Sequence, residues 1–421
     1  MCLTIPVQVQ RVIGKKALVK RGEEEFVVDI TLLPEVRDRD WLLVISGLAL
    51  KKIEEKDAQE ILEFLRYSFI TDPQRVSERF TSIIQKSKTQ PLTQDEIVYL
   101  LNTEGYEKEA LLAEGNMTRM VNIKDFICIH GVIEFSNYCS NDCLYCGLHK
   151  GNKDLVRYRM TKEEIIEEVI AAVENKGYKL LVLQSGEDEF YTPDLLAEIV
   201  QEIKSRVRVF LFLSVGERGE EFYAKLRSAG ASGILLRFET ANQSLFAKLH
   251  PNGKSLAKRF EHLSFLQKMG YFIATGFLVG LPGQTIEDIA NDILTITSLK
   301  PEMVSIGPFI PSDKTPLAPC QPPNLDLVLK VIAIIRLLHK RARIPVSTAL
   351  ETLDPKEGRR RALQSGANAL MFILTPQKYR ALYSLYPNRY QAKGEPWEKY
   401  GLFKYEKSYD MLEERLSQEI G

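Results

Sequence analysis

The chain has 421 residues, of which 45% are apolar, so it can bury a large core and exceeds the usual size of one domain. Lys plus Arg and Asp plus Glu both number 56, and a net charge of zero lacks the basic excess typical of nucleic-acid-binding proteins. The N-terminus does not resemble a signal peptide, and no apolar stretch is long and uncharged enough to span a bilayer. We therefore expect a cytoplasmic protein with neither a nucleic-acid nor a membrane partner.

The first ~70 residues show the alternation of short strands separated by turn residues. Five strands and one helix are predicted over Val7–Val12, Lys16–Lys20, Glu25–Leu32, Trp41–Ser46, Leu48–Ile53 and Glu54–Phe64. We assign residues 1–70 to a small, OB-like β-barrel and residues 71–120 to a helical connector. Helices are predicted there over Ser68–Ser87 and Glu96–Leu112, the second behind a capping box of Thr93 and Glu96.

From residue 121 to residue 395, strand-like apolar runs alternate with helical stretches. The eight runs are Gly131–Phe135, Leu180–Gln184, Val207–Val215, Gly233–Glu239, Tyr271–Gly280, Met303–Ile310, Ile344–Thr348 and Ala369–Thr375. Eight strands alternating with helices over ~250 residues predict an α/β fold of the (β/α)8 TIM-barrel type. An open, doubly wound sheet is the alternative. Residues 396–421 are assigned to a C-terminal tail.

Three of the six cysteines lie within eight residues, directly after the first predicted barrel strand. Cys139, Cys143 and Cys146 would then lie on a loop at the C-terminal face of the barrel, where the active sites of this fold form. Thiolates are the preferred ligands of iron–sulfur clusters, and three cysteines for four irons leave one iron open. The alternatives are a zinc site completed by His149, or a chance group of buried thiols.

Polar residues also follow the next two predicted strands. Gln184, Ser185 and Gly186 end the second strand, and Ser214 lies near the end of the third. At this end of a barrel such residues are typical of ligand contacts, and glycine allows close approach of the backbone. An ordinary turn is the alternative for the group after the second strand.

Arg237 and Glu239 lie two positions apart on the fourth predicted strand, so both side chains point to one face. A buried, unpaired charge is costly, so the polar mouth of the barrel is their expected location. There Arg237 suits a carboxylate, and Glu239 suits ribose hydroxyls or a cationic centre. A structural ion pair between the two is the alternative.

Hydroxyl groups surround the remainder of the predicted mouth. Ser347 and Thr348 end the seventh strand, as a small polar pocket requires. Tyr379, Tyr383 and Tyr386 follow the eighth strand, where they either line the pocket or are simply packed aromatic residues.

The C-x3-C-x2-C spacing, with an aromatic residue before the last cysteine, resembles the signature of radical S-adenosylmethionine enzymes. The resemblance implies a 4Fe–4S cluster with one open iron site that binds S-adenosylmethionine. It also implies an external reductant such as ferredoxin or flavodoxin, and cleavage of the cofactor to a 5′-deoxyadenosyl radical. The protein would position the cofactor and exclude water.

Several further motifs between about residues 90 and 390 resemble the HydE family of FeFe-hydrogenase maturases. They are Ile133–Tyr138, Arg157–Thr161, Gln184–Asp188, Phe238–Asn242, Gly280–Gln284, Ile306–Pro311 and Leu385–Pro387. The implied contacts to S-adenosylmethionine are Tyr145, Gln184, Ser185, Gly186, Ser214, Glu239 and Arg259. The implied substrate, an iron–carbonyl–cyanide–cysteine complex, would be surrounded by Arg237, Ser347, Thr348, Tyr383 and Tyr386.

The chain departs from this family in two respects. Many members carry an accessory C-terminal cluster on extra cysteines, and beyond Cys146 only Cys320 remains here. Phe212 occupies an expected lumen position where the family often has threonine. The same scarcity of cysteines argues against biotin synthase, which needs a second, sulfur-donating cluster.

Residues 1–70 are similar to the HypC family of hydrogenase maturation chaperones. The similarity rests on Met1–Pro6, the strand pattern that follows, and Leu42–Ala49. In that family the cysteine after the initiator Met helps carry an iron atom with cyanide and carbonyl ligands, which implies that Cys2 is a metal ligand here. Ile45 stands where the family commonly has histidine, and Val7 where it often has glycine. A barrel that serves docking alone is the alternative.

The sequence thus favours a HydE-like radical enzyme with a fused iron-fragment carrier, and other hydrogenase maturation proteins as possible partners. Two alternatives remain open. One is a radical enzyme that acts on an amino-acid-derived substrate, as methylornithine synthase does. The other is a non-catalytic chaperone whose cluster is structural.

Overall fold

The structure is a computed structural model that describes residues 5–21, 24–33, 35–45, 47–66, 75–123, 127–251 and 253–389. Cys2 and the tail assigned to residues 396–421 lie outside these ranges, so the predictions for them are not addressed by the structure. Within the described ranges, no helix is long and apolar enough to cross a membrane.

The N-terminal unit is a closed five-stranded barrel, as the sequence predicts. Its elements are β1 (Ile5–Ile13), β2 (Lys16–Arg21), β3 (Glu24–Asp29), β4 (Trp41–Ile45), β5 (Leu48–Ile53) and α1 (Glu55–Arg66). The strands close in the order β1-β2-β3-β5-β4, with β1, β2 and β4 paired antiparallel to their neighbours. Alternate side chains such as Val7, Val9, Val19 and Leu42 point inward and form its buried core.

Three helices lead from this barrel to the next: α2 (Glu78–Ser87), α3 (Gln94–Leu101) and α4 (Gly105–Ile123). The predicted capping box of Thr93 and Glu96 is present at the start of α3. The prediction of one helix over Glu96–Leu112 is wrong, because α3 ends at Leu101 and the chain turns before Gly105. Gly105 has φ +53°, a left-handed conformation that glycine adopts at little cost.

The larger unit is a parallel eight-stranded barrel. Its strands are β6 (Cys128–Ser136), β7 (Leu180–Ser185), β8 (Phe210–Ser214), β9 (Gly233–Leu235), β10 (Phe272–Thr275), β12 (Met303–Val304), β14 (Pro345–Val346) and β15 (Ala369–Ile373). The sheet order is β12-β10-β9-β8-β7-β6-β15-β14, and a parallel bridge between Met303 and Arg343 joins its two edges. The predicted TIM-type barrel is therefore confirmed over the open, doubly wound sheet.

Two short strands, β11 (Leu278–Val279) and β13 (Gly307–Pro308), pair with each other beyond β10 and β12. The helices that surround the barrel include the long elements on its outer face and shorter ones at its mouth. They are α5 (Lys162–Glu174), α6 (Pro193–Arg206), α7 (Glu220–Ser228), α8 (Gln243–Leu249), α9 (Leu256–Lys268), α10 (Ile286–Leu299), α11 (Leu325–Leu338), α12 (Thr348–Leu353), α13 (Gly358–Gln364) and α14 (Gln377–Arg380).

Apolar side chains fill the interior of the barrel away from its mouth. Val132, Val182, Phe212 and Met303 come from different strands and pack into one buried cluster. A second, larger cluster packs the outer faces of the strands against the helices. Because the interior is filled in this way, polar chemistry is confined to the C-terminal ends of the strands.

Candidate active site

The cysteine loop follows β6 and is held by backbone hydrogen bonds to three other parts of the barrel. Ser140 N donates to Glu187 O (3.0 Å), Leu144 N to Leu249 O (3.0 Å) and Gly147 N to Leu385 O (2.8 Å). Glu187 follows β7, Leu249 is the last residue of α8, and Leu385 follows α14. The loop is therefore fixed at the mouth of the barrel, as the sequence predicts.

The three thiols share a poorly solvated site. Burial, together with the neighbouring thiols, raises the pKa of Cys143 well above its usual range and that of Cys146 to about 12. Burial likewise raises the pKa of Cys139. Three thiolates so close together need a cation to stabilise them, and cluster iron supplies that charge to soft sulfur ligands. The donor set and its burial thus fit an iron–sulfur cluster.

His149 contacts the backbone of the cysteine loop through one ring nitrogen. Its Nδ1 lies 2.8 Å from the carbonyl oxygen of Cys146, so the ring is engaged by the loop backbone. In the described part of the chain, no three His, Cys, Asp or Glu side chains are grouped as ligands of a single ion. Because Nδ1 donates to the Cys146 carbonyl, Nε2 keeps its lone pair, so the contact alone does not distinguish zinc from an iron–sulfur cluster.

The polar residues after β7 lie directly beside the cysteine loop. A Cβ added at Gly186 would lie 2.2 Å from Tyr138 O and 2.7 Å from Cys139 Cβ, so only glycine allows this approach. Ser185 Oγ donates to Gly186 O over 2.7 Å. Gln184, one residue earlier, pairs in register with Ser214 at the end of β8. The structure thus brings these predicted cofactor contacts to one edge of the mouth.

Glu239 combines a strained backbone with an unpaired oxygen. Its φ of +68° is unusual for a residue with a side chain, and such strain is concentrated at functional sites. Arg237 Nε lies 3.3 Å from Glu239 Oε1, so the predicted pair forms. Glu239 Oε2 is buried and has no hydrogen-bond partner among the described residues. A buried acceptor without a partner suits a bound ligand that brings its own donor.

Arg259, from α9, is buried close to this pair. It donates to the carbonyl oxygen of Arg237 and forms an ion pair with Glu217, which follows β8. Lys254 joins the network, with its Nζ 2.9 Å from Glu187 Oε2 and 3.3 Å from Glu217 Oε2. Burial raises the pKa of Glu217, but the two cations outweigh burial and hold it below its usual range. The sequence analysis did not identify Lys254, because this residue lies between α8 and α9 and not at the end of a strand. Its two partners, Glu187 and Glu217, do follow strands.

Tyr145 of the cysteine loop is held by a histidine that the sequence analysis missed. The Tyr145 hydroxyl lies 2.9 Å from His250 Nε2, while His250 Nδ1 lies 2.8 Å from Phe246 O. Since a carbonyl only accepts, Nδ1 carries the proton and Nε2 accepts from the tyrosine. Burial lowers the pKa of His250, which keeps the ring neutral. His250 ends a short helix far along the chain, so no spacing could reveal it.

The predicted substrate residues make three separate contacts around the mouth of the barrel. Tyr383 OH accepts from Gln184 Nε2 (3.2 Å), and Tyr386 OH lies 2.9 Å from Thr348 Oγ1. A Cβ added at Gly307 would lie 2.9 Å from Arg237 Nη1 and 4.0 Å from Ser347 Oγ, so these two side chains flank Gly307.

One of the sequence expectations in this region needs correction, and Tyr379 follows the second of its two alternatives, that of a packed aromatic residue. The predicted seventh strand, Ile344–Thr348, is too long: it ends at Val346, and Ser347 caps α12 by accepting from Leu350 N. Tyr379 lies outside the pocket, where its ring stacks on Tyr158 and its hydroxyl donates to Glu164.

A buried carboxylate that we did not predict supports the strained turn at Glu239. Asp292, on α10, accepts from Ala241 N and lies 3.3 Å from Thr240 Oγ1, two groups that directly follow Glu239. Gln284 Nε2 donates to its other oxygen over 2.9 Å. Burial raises the pKa of Asp292 to about 7, although these donors oppose the rise.

Known proteins match both parts of the chain. Residues 133–296 match the Radical SAM superfamily, and residues 1–65 match the HupF/HypC family. The FeFe-hydrogenase maturase subunit HydE of Thermotoga maritima is 44% identical over 309 residues, which cover 73% of this chain and 87% of the relative. The 3-methylornithine synthase of Methanosarcina acetivorans is 32% identical over 286 residues, covering 67% and 80%.

Solved structures agree with the barrel fold. A crystal structure of methylornithine synthase gives a TM-score of 0.64 at 26% identity and covers 81% of this chain and 95% of that one. The maturase HydG from Carboxydothermus hydrogenoformans, at 20% identity, supports the fold alone, with a TM-score of 0.64 over 85% and 81%. From the identity with HydE and the two matched domains, we conclude that this chain belongs to the HydE-type family of radical S-adenosylmethionine enzymes, with a HypC-family domain at its N-terminus.

Proposed function

We propose that the enzyme uses S-adenosylmethionine to adenosylate an iron–carbonyl–cyanide–cysteine complex during assembly of a hydrogenase metal cofactor. The observation that carries this proposal is the fusion of a HydE-type barrel with a HypC-family domain in one chain. HydE of Thermotoga maritima is a maturase of FeFe-hydrogenase. The HypC resemblance also implies iron with cyanide and carbonyl ligands. Two independent domains therefore support the same class of cargo.

In this proposal, Cys139, Cys143 and Cys146 hold a 4Fe–4S cluster with one open iron, supplied with electrons by ferredoxin or flavodoxin. Such a cluster would supply the one electron that cleaves the sulfonium carbon–sulfur bond of S-adenosylmethionine, which would yield methionine and a 5′-deoxyadenosyl radical. The residues that bind and orient the cofactor are Tyr145, Gln184, Ser185, Gly186, Ser214, Glu239 and Arg259. The unpaired Oε2 of Glu239 accepts from a cofactor hydroxyl or ammonium group, and Arg259 supplies positive charge for the carboxylate.

The substrate side of the mouth offers hydrogen-bond donors on a rigid frame. We assign substrate contacts to Arg237, Ser347, Thr348, Tyr383 and Tyr386, whose positions are fixed by the contacts described above. A guanidinium and four hydroxyls suit a small complex rich in acceptors, namely carboxylate oxygens and cyanide nitrogens. The packed interior below them keeps the reacting groups away from water.

The N-terminal barrel is proposed to carry an iron fragment on Cys2, or to accept one from another maturation protein. A thiolate is a suitable ligand for low-spin iron, and Cys2 directly follows Met1, as in the resembling family. Ile45 replaces the usual histidine, so the iron would need another ligand from a partner or from the cargo itself.

Anaerobic reconstitution of the full chain tests the enzymatic part of this proposal. With reductant, S-adenosylmethionine and the iron complex, we expect an adenosylated product by mass spectrometry and a drop in free 5′-deoxyadenosine per cofactor consumed. If a fully loaded cluster cleaves no cofactor, the catalytic role fails and the structural-cluster alternative stands.

Infrared spectra of the full chain test the carrier role separately. Incubation with the iron fragment should give cyanide and carbonyl bands on the wild type and on Cys320→Ala, but not on Cys2→Ala. Cys320→Ala is the matched control because it removes one half-buried thiol from another part of the chain. Equal bands on both variants would contradict the carrier role of Cys2.

The second candidate is a radical reaction on an amino-acid-derived substrate. It is favoured by the 32% identity to 3-methylornithine synthase and by the similarity of the barrels. Candidate amino acids and the iron complex should be compared in the same assay. Substrate-dependent consumption with an amino acid and none with the iron complex would establish this alternative instead.

A further inference from the structure

A segment after the last barrel strand crosses the mouth of the barrel beside the cysteine loop. We call residues 376–389 the strap. Asn137 Nδ2 donates to Leu382 O over 2.8 Å, and Gly147 N donates to Leu385 O over 2.8 Å. A Cβ added at Gly147 would lie 2.1 Å from Ser384 O, so the strap runs directly against the loop that carries the cysteines.

The strap delivers both predicted substrate tyrosines. Tyr383 is only 2% exposed and receives a hydrogen bond from Gln184, and Tyr386 contacts Thr348. These bonds tie the strap to β7 and to the start of α12, on two sides of the mouth. The positions of the two hydroxyls therefore depend on how the strap is held.

The strap ends in a buried ion pair inside the barrel. Arg389 Nη1 lies 2.5 Å from Glu134 Oε1, with the two side chains 9% and 0% exposed. Its guanidinium also lies over the ring of Tyr383, 5.6 Å from the ring centre. Asn388, one residue earlier, has φ +53°, which turns the chain inward.

Glu134 is also held by contacts other than that with Arg389. Glu134 N donates to Thr375 Oγ1 over 2.8 Å, and that hydroxyl lies 3.3 Å from Glu134 Oε2. The residue lies on β6, which leads directly into the cysteine loop, and it pairs in register with Gln184. The contact partner of Arg389 is thus part of the rigid frame that also carries the cluster ligands.

Burial of an ion pair costs free energy, because both charges lose their hydration. Apolar residues would hold the strap at least as well, so the role that best fits the pair is to fix the geometry of the strap. Its location fits this role, since the guanidinium lies between the frame at Glu134 and the ring of Tyr383.

We propose that Arg389 is a positioning residue: its ion pair with Glu134 latches the strap so that Tyr383 and Tyr386 face the substrate. The inference rests on the proposed function for the identity of that substrate, but the latch itself does not. Loss of the latch should release the strap and misplace the tyrosines, while the cysteine loop keeps its hydrogen bonds to Glu187 O and Leu249 O, so that the cluster site remains assembled.

Hydrogen–deuterium exchange on the reconstituted full-length enzyme measures the latch without any turnover. We expect Arg389→Gln to accelerate exchange in peptides from the strap at least tenfold and to leave peptides from α11 unchanged. Arg389→Lys should restore part of the protection, because it retains the charge. The matched control is Lys378→Gln, which removes an exposed cation on the same strap that pairs with Glu164.

A second readout is the ratio of adenosylated iron complex to uncoupled 5′-deoxyadenosine. We expect Arg389→Gln to lower this ratio about tenfold and Arg389→Lys to lower it less, with Lys378→Gln at the wild-type value. Should Arg389→Gln fail to fold, the double variant Glu134→Gln/Arg389→Gln removes both charges together and should still show the faster exchange.

Unchanged exchange in the strap of these variants would overturn the latch, whatever the product ratio does. Faster exchange with an unchanged ratio would overturn the positioning role. If the wild type makes no adenosylated complex, the proposed function fails, and the ratio is then measured with whichever amino acid the enzyme consumes.

Discussion

Gly186→Ala should prevent assembly of the cluster while leaving the fold intact. The added Cβ would lie 2.2 Å from Tyr138 O and 2.7 Å from Cys139 Cβ, and real Cβ atoms essentially never approach closer than 3.0 Å. Backbone must therefore shift by about 0.8 Å, which exceeds the roughly 0.5 Å within which a functional site has to be held. Overpacking of this kind costs about 1–3 kcal/mol, less than the roughly 5–15 kcal/mol that stabilises a folded domain.

The assay is the iron and sulfide content after anaerobic reconstitution, with the spectrum of the reduced cluster by electron paramagnetic resonance. We expect less than about a quarter of the wild-type iron in Gly186→Ala, because Cys139 is displaced from the other two ligands. Gly151→Ala is the matched control, within the cysteine loop itself, since the nearest atoms to its added Cβ belong to the side chains of His149 (3.2 Å) and Asp142 (3.3 Å). Wild-type iron content and an unchanged spectrum in Gly186→Ala would refute the reasoning.

Three further substitutions probe the rest of the site. Glu239→Gln should weaken S-adenosylmethionine binding about tenfold by calorimetry with iron content unchanged, whereas exposed Glu261→Gln should not; equal affinities would contradict the assigned role. Tyr145→Phe leaves His250 Nε2 without its hydrogen-bond donor. The free energy of unfolding, measured by denaturant titration, should therefore decrease by about 1–3 kcal/mol. No change would show that water replaces the hydroxyl. Burial raises the pKa of Asp292 from 3.8 to about 7. Between these two pH values the folded chain binds a proton that the unfolded chain releases, so the free energy of unfolding should decrease as the pH rises from 3.8 to about 7. Asp292→Asn should flatten this slope in thermal melts at several pH values, and an unaltered slope would assign the titration to another group.

Most of the barrel could be predicted from sequence because parallel strands buried on both faces form continuous apolar runs. The runs over Tyr271–Gly280 and Met303–Ile310 show the limit of that signal, since each is split into two short strands. A Cβ at Gly276 would lie 2.0 Å from Ser305 O, so the two backbones meet closely where the strands break. Such an approach depends on distant parts of the chain and leaves no local pattern.

The residues of the candidate site also fall into two groups: those that local sequence patterns could predict and those that they could not. Residues at strand ends, such as Gln184 and Glu239, could be predicted because the fold brings all those ends to one mouth. His250, Asp292 and Arg389 lie on helices or on the strap, and each acts on a residue at least 50 positions away. Their positions follow from packing between elements, which periodicity and spacing do not encode.

The proposed division of the mouth would allow relatives with different activities to share one barrel. In the proposed assignment, the cofactor is held by the cysteine loop, the ends of β7 to β9 and Arg259, whereas most substrate contacts come from α12 and the strap. The strap is held by a few bonds, including Gln184 to Tyr383 and Arg389 to Glu134. Substrate preference can therefore change through the strap while the radical-generating half stays intact. Similarity to both HydE and 3-methylornithine synthase is the expected result of such a division, and it makes the strap the part of the chain where substitutions should separate the two activities.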